Sequence, residues 1–299
     1  MDKRAYSRAF WHTHPLNPKG MTDEQVVDWI FVVDLLNFSF WSDEPYRIEY
    51  GGRKYTGYWS LCAVIDRALA QGIDITDPKY YGNASDSELI SIFSVDEGTM
   101  PMVSERVRLL RESGQILLAK FKGTATNLLK QAARDPFKLI ELLCCNFHSF
   151  LDISTYNGKP VFFLKRAQIF IADLWACFDG KGYGDFDQNK IDAITMFADY
   201  RLPQILQALG VLHLDSDLLT RMCAGELLNV HENSVIELRG CSIHAVRLLC
   251  EAMRNIQRSG PTLAMINAIM IDFFLWDLIQ ERPDLVKNIH IHRTRSLFY

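Results

Sequence analysis

The stretch VVDWIFVVDLL, residues 26–36, constrains the fold more than any other. Thr22 and Gln25 precede it with the spacing of a capping box, which marks the start of a helix. The segment is apolar on nearly every side, so no face of that helix suits water and it is expected inside the protein. A chain of 299 residues, 48% of them hydrophobic, suffices to build the surrounding core. Asp28 and Asp34 interrupt the buried helix, and each carboxylate needs a partner there.

The rest of the chain also reads as helix. Ser85 and Glu88 make a second capping box. Helices are predicted over 59–71, ended by Gly72, and over 103–120, 125–134 and 137–149. KRAQIFIADLWACF, residues 165–178, is another, and GKGYGDFD after it is a loop. Further helices are expected near Lys190 and over 203–209, 216–224, 242–256 and 262–281. Strand is confined to two hairpins, RIEY and RKYTGYW about Gly51-Gly52, and STYNGKPVFFL about Asn157-Gly158. The expected class is mainly α with short β-hairpins, in one domain over 1–299 or two closely packed helical lobes within it.

Charge and targeting signals narrow the function. Net charge is −4, so attraction of the whole chain to a polyphosphate is weak and no stable nucleic-acid complex is expected. MDKRAYSRAFWHTH lacks an apolar signal core, and no uncharged apolar run approaches the roughly 18 residues of a membrane span. A cytoplasmic protein without membrane contact is expected. The seven cysteines form no C-x-x-C pair and sit mostly in apolar helical patterns, as reduced core thiols do.

Four segments hold candidate site residues. In MFADYRLPQIL, Asp199 stands between an apolar run and a helix with Pro203 in its first turn. A partly desolvated carboxylate there has tuned basicity, while a plain helix cap is the competing role. In NFSFW, Asn37 sits beside Phe38, Phe40 and Trp41, a set that suits a flat heterocycle or ordinary core packing. Lys165 and Arg166 open a helix, where cations oppose the macrodipole. A bound phosphate would explain them, as would a solvated pair or an internal salt bridge. Asp272 and Trp276 share one helix face at i, i+4, fit to meet the donor edge of a guanine-like base or to rest as satisfied core.

Other motifs are absent or incomplete. HIHRTR, residues 290–295, offers two histidines at i, i+2 with no matching constellation elsewhere, so no metal is expected. GKGYG lacks the phosphate-loop spacing, and no G-x-S-x-G elbow occurs.

Taken together, LLNFSFW, YTGYWSLCAVIDRAL, FLKRAQIFIADLW, FADYRLPQIL, IELRGCSIHAV, IDFFLWDL and HRTRSLFY resemble the successive blocks of the queuosine salvage protein family, from about residue 34 to Tyr299. The resemblance implies hydrolysis of queuosine 5′-phosphate to queuine and ribose 5-phosphate, without a cofactor. It also implies a helical fold similar to helix-hairpin-helix DNA glycosylases. Those enzymes place an Asp near the hairpin to support glycosidic cleavage, and the matching position here is Asp199. On the same footing, Asn37, Phe38, Tyr200, Asp272 and Trp276 are expected to hold or wall the base. Lys165 is expected at the phosphate, with Arg166 and Arg201 as alternatives. A base-binding module without turnover and a base-excision nucleic-acid glycosylase remain as alternative readings.

Overall fold

The computed structural model describes residue 11, residues 13–258 and residues 266–299. Helix α1 (Asp23–Leu35) leads to the hairpin β1 (Ile48–Tyr50) and β2 (Arg53–Tyr55). Then come α2 (Tyr58–Ala70), α3 (Pro78–Tyr81), α4 (Asp86–Ile92), α5 (Val103–Lys120), α6 (Thr126–Ala132) and α7 (Pro136–Asn146). The second hairpin, β3 (Ile153–Tyr156) and β4 (Lys159–Phe162), runs into α8 (Lys165–Cys177). The series continues with α9 (Gln188–Ile191), α10 (Leu202–Ala208), α11 (Ser216–Cys223), α12 (Asn233–Arg258) and α13 (Ala268–Glu281). The fold is mainly helical, and its strands form two separate antiparallel pairs.

Local signals act as read. Both capping boxes form, Thr22 with Gln25 and Ser85 with Glu88. Asn157 and Gly158 take φ values of 49° and 74°, the left-handed pair that a tight hairpin turn requires. Helix α1 buries nine residues, and α8, packed against it, is buried along all 13. Asp28 finds its partners at the start of α6: its Oδ1 accepts from the Ala125 N–H at 2.7 Å and from the Thr124 hydroxyl. Neither oxygen of the fully buried Asp34 is in hydrogen-bonding geometry with a described residue.

The largest core cluster centres on α1, α2, α5 and α8. A second gathers Leu202, Ile205 and Leu206 of α10 with Val246 of α12 and Ile271, Leu275 and Ile279 of α13. The C-terminal tail belongs to a third cluster, in which Tyr299 packs with Tyr200, Leu218, Met222, Leu228 and Val235. Ser39 N donates to the Tyr299 carbonyl at 3.1 Å, and the Trp41 indole donates to the Thr294 carbonyl at 2.8 Å. The tail therefore braces residues 37–41.

Some boundaries differ from expectation. Helix α12 begins at Asn233, nine residues before the predicted 242, and runs through Gly240. A lone glycine costs a helix only about 1 kcal/mol, and burial of Val235, Ile236 and Leu238 outweighs it. Helix α7 stops at Asn146, and His148–Phe150 forms a separate 3-10 turn. Gly182–Gly184 is also a 3-10 turn inside the predicted loop. Of the helix expected over 262–281, residues 262–265 lie outside the described residues, and α13 begins after the Asn267 cap. All seven cysteines are free. Cys62, Cys177 and Cys250 are core thiols, whereas Cys145, Cys223 and Cys241 fall on the water-facing sides of α7, α11 and α12. Among the described residues, no helix is long and apolar enough to cross a membrane.

Candidate active site

A cavity of about 710 Å³ opens where the three clusters meet. Residues 37–41, the N-terminal turns of α2 and α8, residues 197–201 and one face of α13 supply its walls, and Trp11, Thr13, His14, Pro15 and Asn17 cover one side.

The 37–41 wall is not helical, so its backbone groups need partners. Buried Arg106 supplies several, donating to the carbonyls of Leu36 and, at 2.7 Å, Phe38. Its guanidinium also lies 4.5 Å from the centre of the Phe38 ring. Ser39 takes φ 45°, a left-handed turn stabilised by its hydroxyl, which donates to the Ser296 carbonyl at 2.9 Å.

Lys165 and Asp199 both line the cavity, near enough for their charges to interact. Leu164, just before α8, adopts φ 50°, a strained conformation for a branched side chain, and this sets the direction in which Lys165 leaves the backbone. Asp152 Oδ2 accepts the Lys165 N–H at 3.3 Å. The Lys165 ammonium is only 4% exposed and donates to Asn37 O at 3.0 Å and Asn37 Oδ1 at 3.2 Å. Burial lowers its pKa to about 8, opposed above all by the charge of Asp199. Asp199 Oδ1 accepts the N–H groups of Arg201 at 2.7 Å and Leu202 at 2.9 Å. Asp199 thus caps α10 with one oxygen while its side chain lines the cavity.

Helix α13 forms the opposite wall. Asp272 Oδ2 accepts the Phe197 N–H at 2.7 Å. Burial holds this carboxyl well above the usual carboxylate range, despite that hydrogen bond. One turn on, Trp276 meets Tyr58 and Trp59 edge to face at 5.8 and 5.7 Å. Tyr58 and Trp59 open α2 directly after Gly57, whose φ of 62° is a conformation glycine adopts freely. His14 lies nearly parallel on Trp59, at 11°. Its Nδ1 accepts the Leu16 N–H, and burial pushes its pKa down to about 4, so the imidazole is neutral. Trp11 donates its indole N–H to Asp173 Oδ1 at 3.1 Å.

Of the residues singled out from sequence, Asn37, Phe38, Lys165, Asp199, Tyr200, Arg201, Asp272 and Trp276 all line this cavity. Arg166 does not. It is fully buried behind the wall, donates to the carbonyls of Leu35 and Ser149, and lies over the rings of Phe38 and Phe150. Among the described residues its hydrogen-bond partners are backbone oxygens. Sequence reasoning missed Asp173, Trp59, His14 and Trp11. Asp173 carried a usable signal: Lys165, Ile169 and Asp173 are spaced by four along α8 and share its cavity-facing side. In HIHRTR, His290 is exposed and His292 buried, and among the described residues no group of three or more His, Cys, Asp or Glu side chains is placed to hold a metal ion.

The fold and cavity define a mainly helical protein whose deep pocket combines aromatic walls, converging carboxyls and a buried lysine, a design for a flat, polar small molecule. Residues 16–299 match the queuosine salvage protein family, and the chain belongs to that family. Three relatives carry the name queuosine 5′-phosphate N-glycosylase/hydrolase. That of Schizosaccharomyces pombe is 46% identical, the match covering 97% of this chain and 88% of that protein. That of Mus musculus is 43% identical, covering 96% and 85%. That of Sphaerobacter thermophilus is 37% identical, covering 92% and 82%.

Proposed function

We propose that this protein hydrolyses the N-glycosidic bond of queuosine 5′-phosphate, releasing queuine and ribose 5-phosphate so that the base can be reused in tRNA modification. One observation carries the reading. Asp199, Lys165 and Asp272 converge in one aromatic-walled cavity, in a chain 46% identical to a protein named for that reaction.

Cleavage builds positive charge on C1′ and the ring oxygen, as in other glycoside hydrolyses. In this reading Asp199 faces that charge with its Oδ2, because the N–H groups of Arg201 and Leu202 hold Oδ1. The same carboxylate orients water and takes its proton. Lys165 spends two N–H bonds on Asn37 and turns the third to the 5′-phosphate, with Arg201 as the second cation of the cavity. Asp272 and Asn37 hold the guanine-like edge, while Phe38, Tyr200 and Trp276 wall the base. Asp277 and Glu281, which also line the cavity, suit the cationic secondary amine of queuine. No step calls on a metal or an organic cofactor. The reading takes residues 1–299 as one working domain, cytoplasmic, related in fold to helix-hairpin-helix DNA glycosylases.

Incubation with queuosine 5′-phosphate tests the proposal. Queuine and ribose 5-phosphate should appear in equal amounts over many turnovers, while an oligonucleotide containing queuosine stays intact. Stoichiometric binding without ribose 5-phosphate would indicate a binding module, and release of base from the oligonucleotide would indicate a nucleic-acid glycosylase.

A further inference from the structure

A 7-deazapurine leaving group lacks N7, so the proton that helps many purines depart cannot be placed there. The charge of the departing base spreads into its pyrimidine ring, onto the ring nitrogen and the carbonyl oxygen. An acid at that far edge would help, and the cavity contains a carboxyl suited to the task that the proposed mechanism leaves unused.

Asp173 is 7% exposed and lines the cavity. It lies eight residues beyond Lys165 on the same face of α8, about 12 Å along the axis at 1.5 Å per residue. Asp173 and Asp199 thus line the same cavity from different elements, Asp173 from α8 and Asp199 from the segment that leads into α10. The Trp11 indole can only donate, so Asp173 Oδ1 is an acceptor and a proton on this carboxyl sits on Oδ2.

Its surroundings favour the proton-bearing form. Asp34 of α1, fully buried, lies close enough to Asp173 for their charges to repel. Two neighbouring carboxyls in a dry site do not both ionise. Among the described residues, the other charged or titratable groups facing Asp173 are Lys165 and Cys177 of α8, Tyr58 and Cys62 of α2, and Asp272 of α13. Of these only Lys165 favours the carboxylate. Burial raises the Asp173 pKa to about 7, with Trp11 and Lys165 pulling the other way.

We infer that Asp173 is the acid that protonates the leaving base, with Trp11 holding its carboxyl in place and Asp34 behind it disfavouring its ionisation. The inference rests on the N-glycosidase reading above. As the C1′–N bond breaks, its electron pair passes into the base, and the Asp173 proton is transferred to the charged pyrimidine edge. Water adds to C1′ and gives its proton to Asp199. Asp199 then loses this proton to solvent and Asp173 regains one, so the cycle consumes one water.

The test compares two substrates. Queuosine 5′-phosphate needs an acid for departure, whereas the nitrophenolate of a 4-nitrophenyl riboside 5-phosphate leaves without one. Asp173→Asn keeps an oxygen for Trp11 but has no proton to give. It should slow the nucleotide by about 10²-fold or more and leave the nitrophenyl compound within about tenfold of the parent. The acid works only when protonated, so the parental rate on the nucleotide should fall as pH rises through its pKa, and Asp173→Asn should lose that alkaline limb. Trp11→Phe removes a hydrogen bond that favours the carboxylate, so it should move the limb to higher pH. Equal losses on both substrates, a nucleotide rate above about a tenth of the parent, or an unmoved limb in Trp11→Phe would each overturn the assignment. Asp199→Asn should slow both substrates. If it slows neither, the role of Asp199 fails, while the contrast between substrates still decides the role of Asp173.

Discussion

Arg239 grips both carboxylate oxygens of Asp152, at 3.1 and 2.6 Å, with both side chains almost wholly out of reach of water. The same guanidinium donates from Nε to the Ala198 carbonyl at 2.8 Å and is sandwiched between the rings of Phe163 and Tyr299. Asp152 in turn accepts the backbone N–H of Lys165, and Ala198 immediately precedes Asp199. One buried cation therefore ties together the backbones that carry Lys165 and Asp199, both of which line the cavity.

Removing Arg239 should therefore do more than loosen the fold. Arg239→Ala leaves Asp152 buried and unpaired, which should cost about 3–5 kcal/mol in denaturant unfolding. Arg239→Lys keeps the charge but cannot reach Asp152 and Ala198 together. It should stay folded, bind queuine almost normally and lose turnover. A folded lysine variant with the parental rate would show that the bridge does not set the position of Asp199.

The phosphate assignment predicts a shift in preference. If Lys165 meets the 5′-phosphate, Lys165→Ala should erode the advantage of the nucleotide over the free nucleoside by roughly ten- to hundredfold, the value of a charge-assisted hydrogen bond. Arg201→Ala should do the same more weakly. Steady-state kinetics on the two substrates gives the answer, and equal loss on both would remove Lys165 from the phosphate.

Base recognition predicts a loss of affinity. Asp272→Asn replaces an acceptor oxygen by a donor at nearly constant volume. The remaining oxygen can still take the Phe197 N–H, so the fold should hold. Against a guanine-like donor edge, queuine binding should weaken by about 1–3 kcal/mol in calorimetry. Unchanged affinity in a variant that melts normally would return Asp272 to a purely structural role.

What sequence made legible follows the range of the forces involved. The capping boxes at Thr22 and Ser85, the Asn157-Gly158 turn and the all-round apolar α1 are local signals, and the elements follow them. The start of α12 was hidden by Gly240, which reads as a break when seen alone but is carried by tertiary packing. Eight of the cavity-lining residues were legible because aromatic and charged residues stand out in apolar segments. Arg166 was ambiguous because nothing local tells a cation aimed at a ligand from one that satisfies carbonyls far along the chain, such as Leu35 O. Asp173 and Trp11 meet across 162 residues, a contact no local pattern announces.

Asp199→Asn tests the central claim most directly. Asn keeps the oxygen that caps α10, so the bonds to the Arg201 and Leu202 N–H groups can persist and stability should change little. It loses the negative charge that the proposed mechanism sets against C1′. The measurement is single-turnover release of queuine from queuosine 5′-phosphate, with thermal melting as the folding control. A folded variant slowed by about 10²–10³-fold, with near-parental queuine affinity, is the result this account predicts. A folded variant that keeps more than about a tenth of the parental rate would contradict it and leave Asp199 as a helix cap alone.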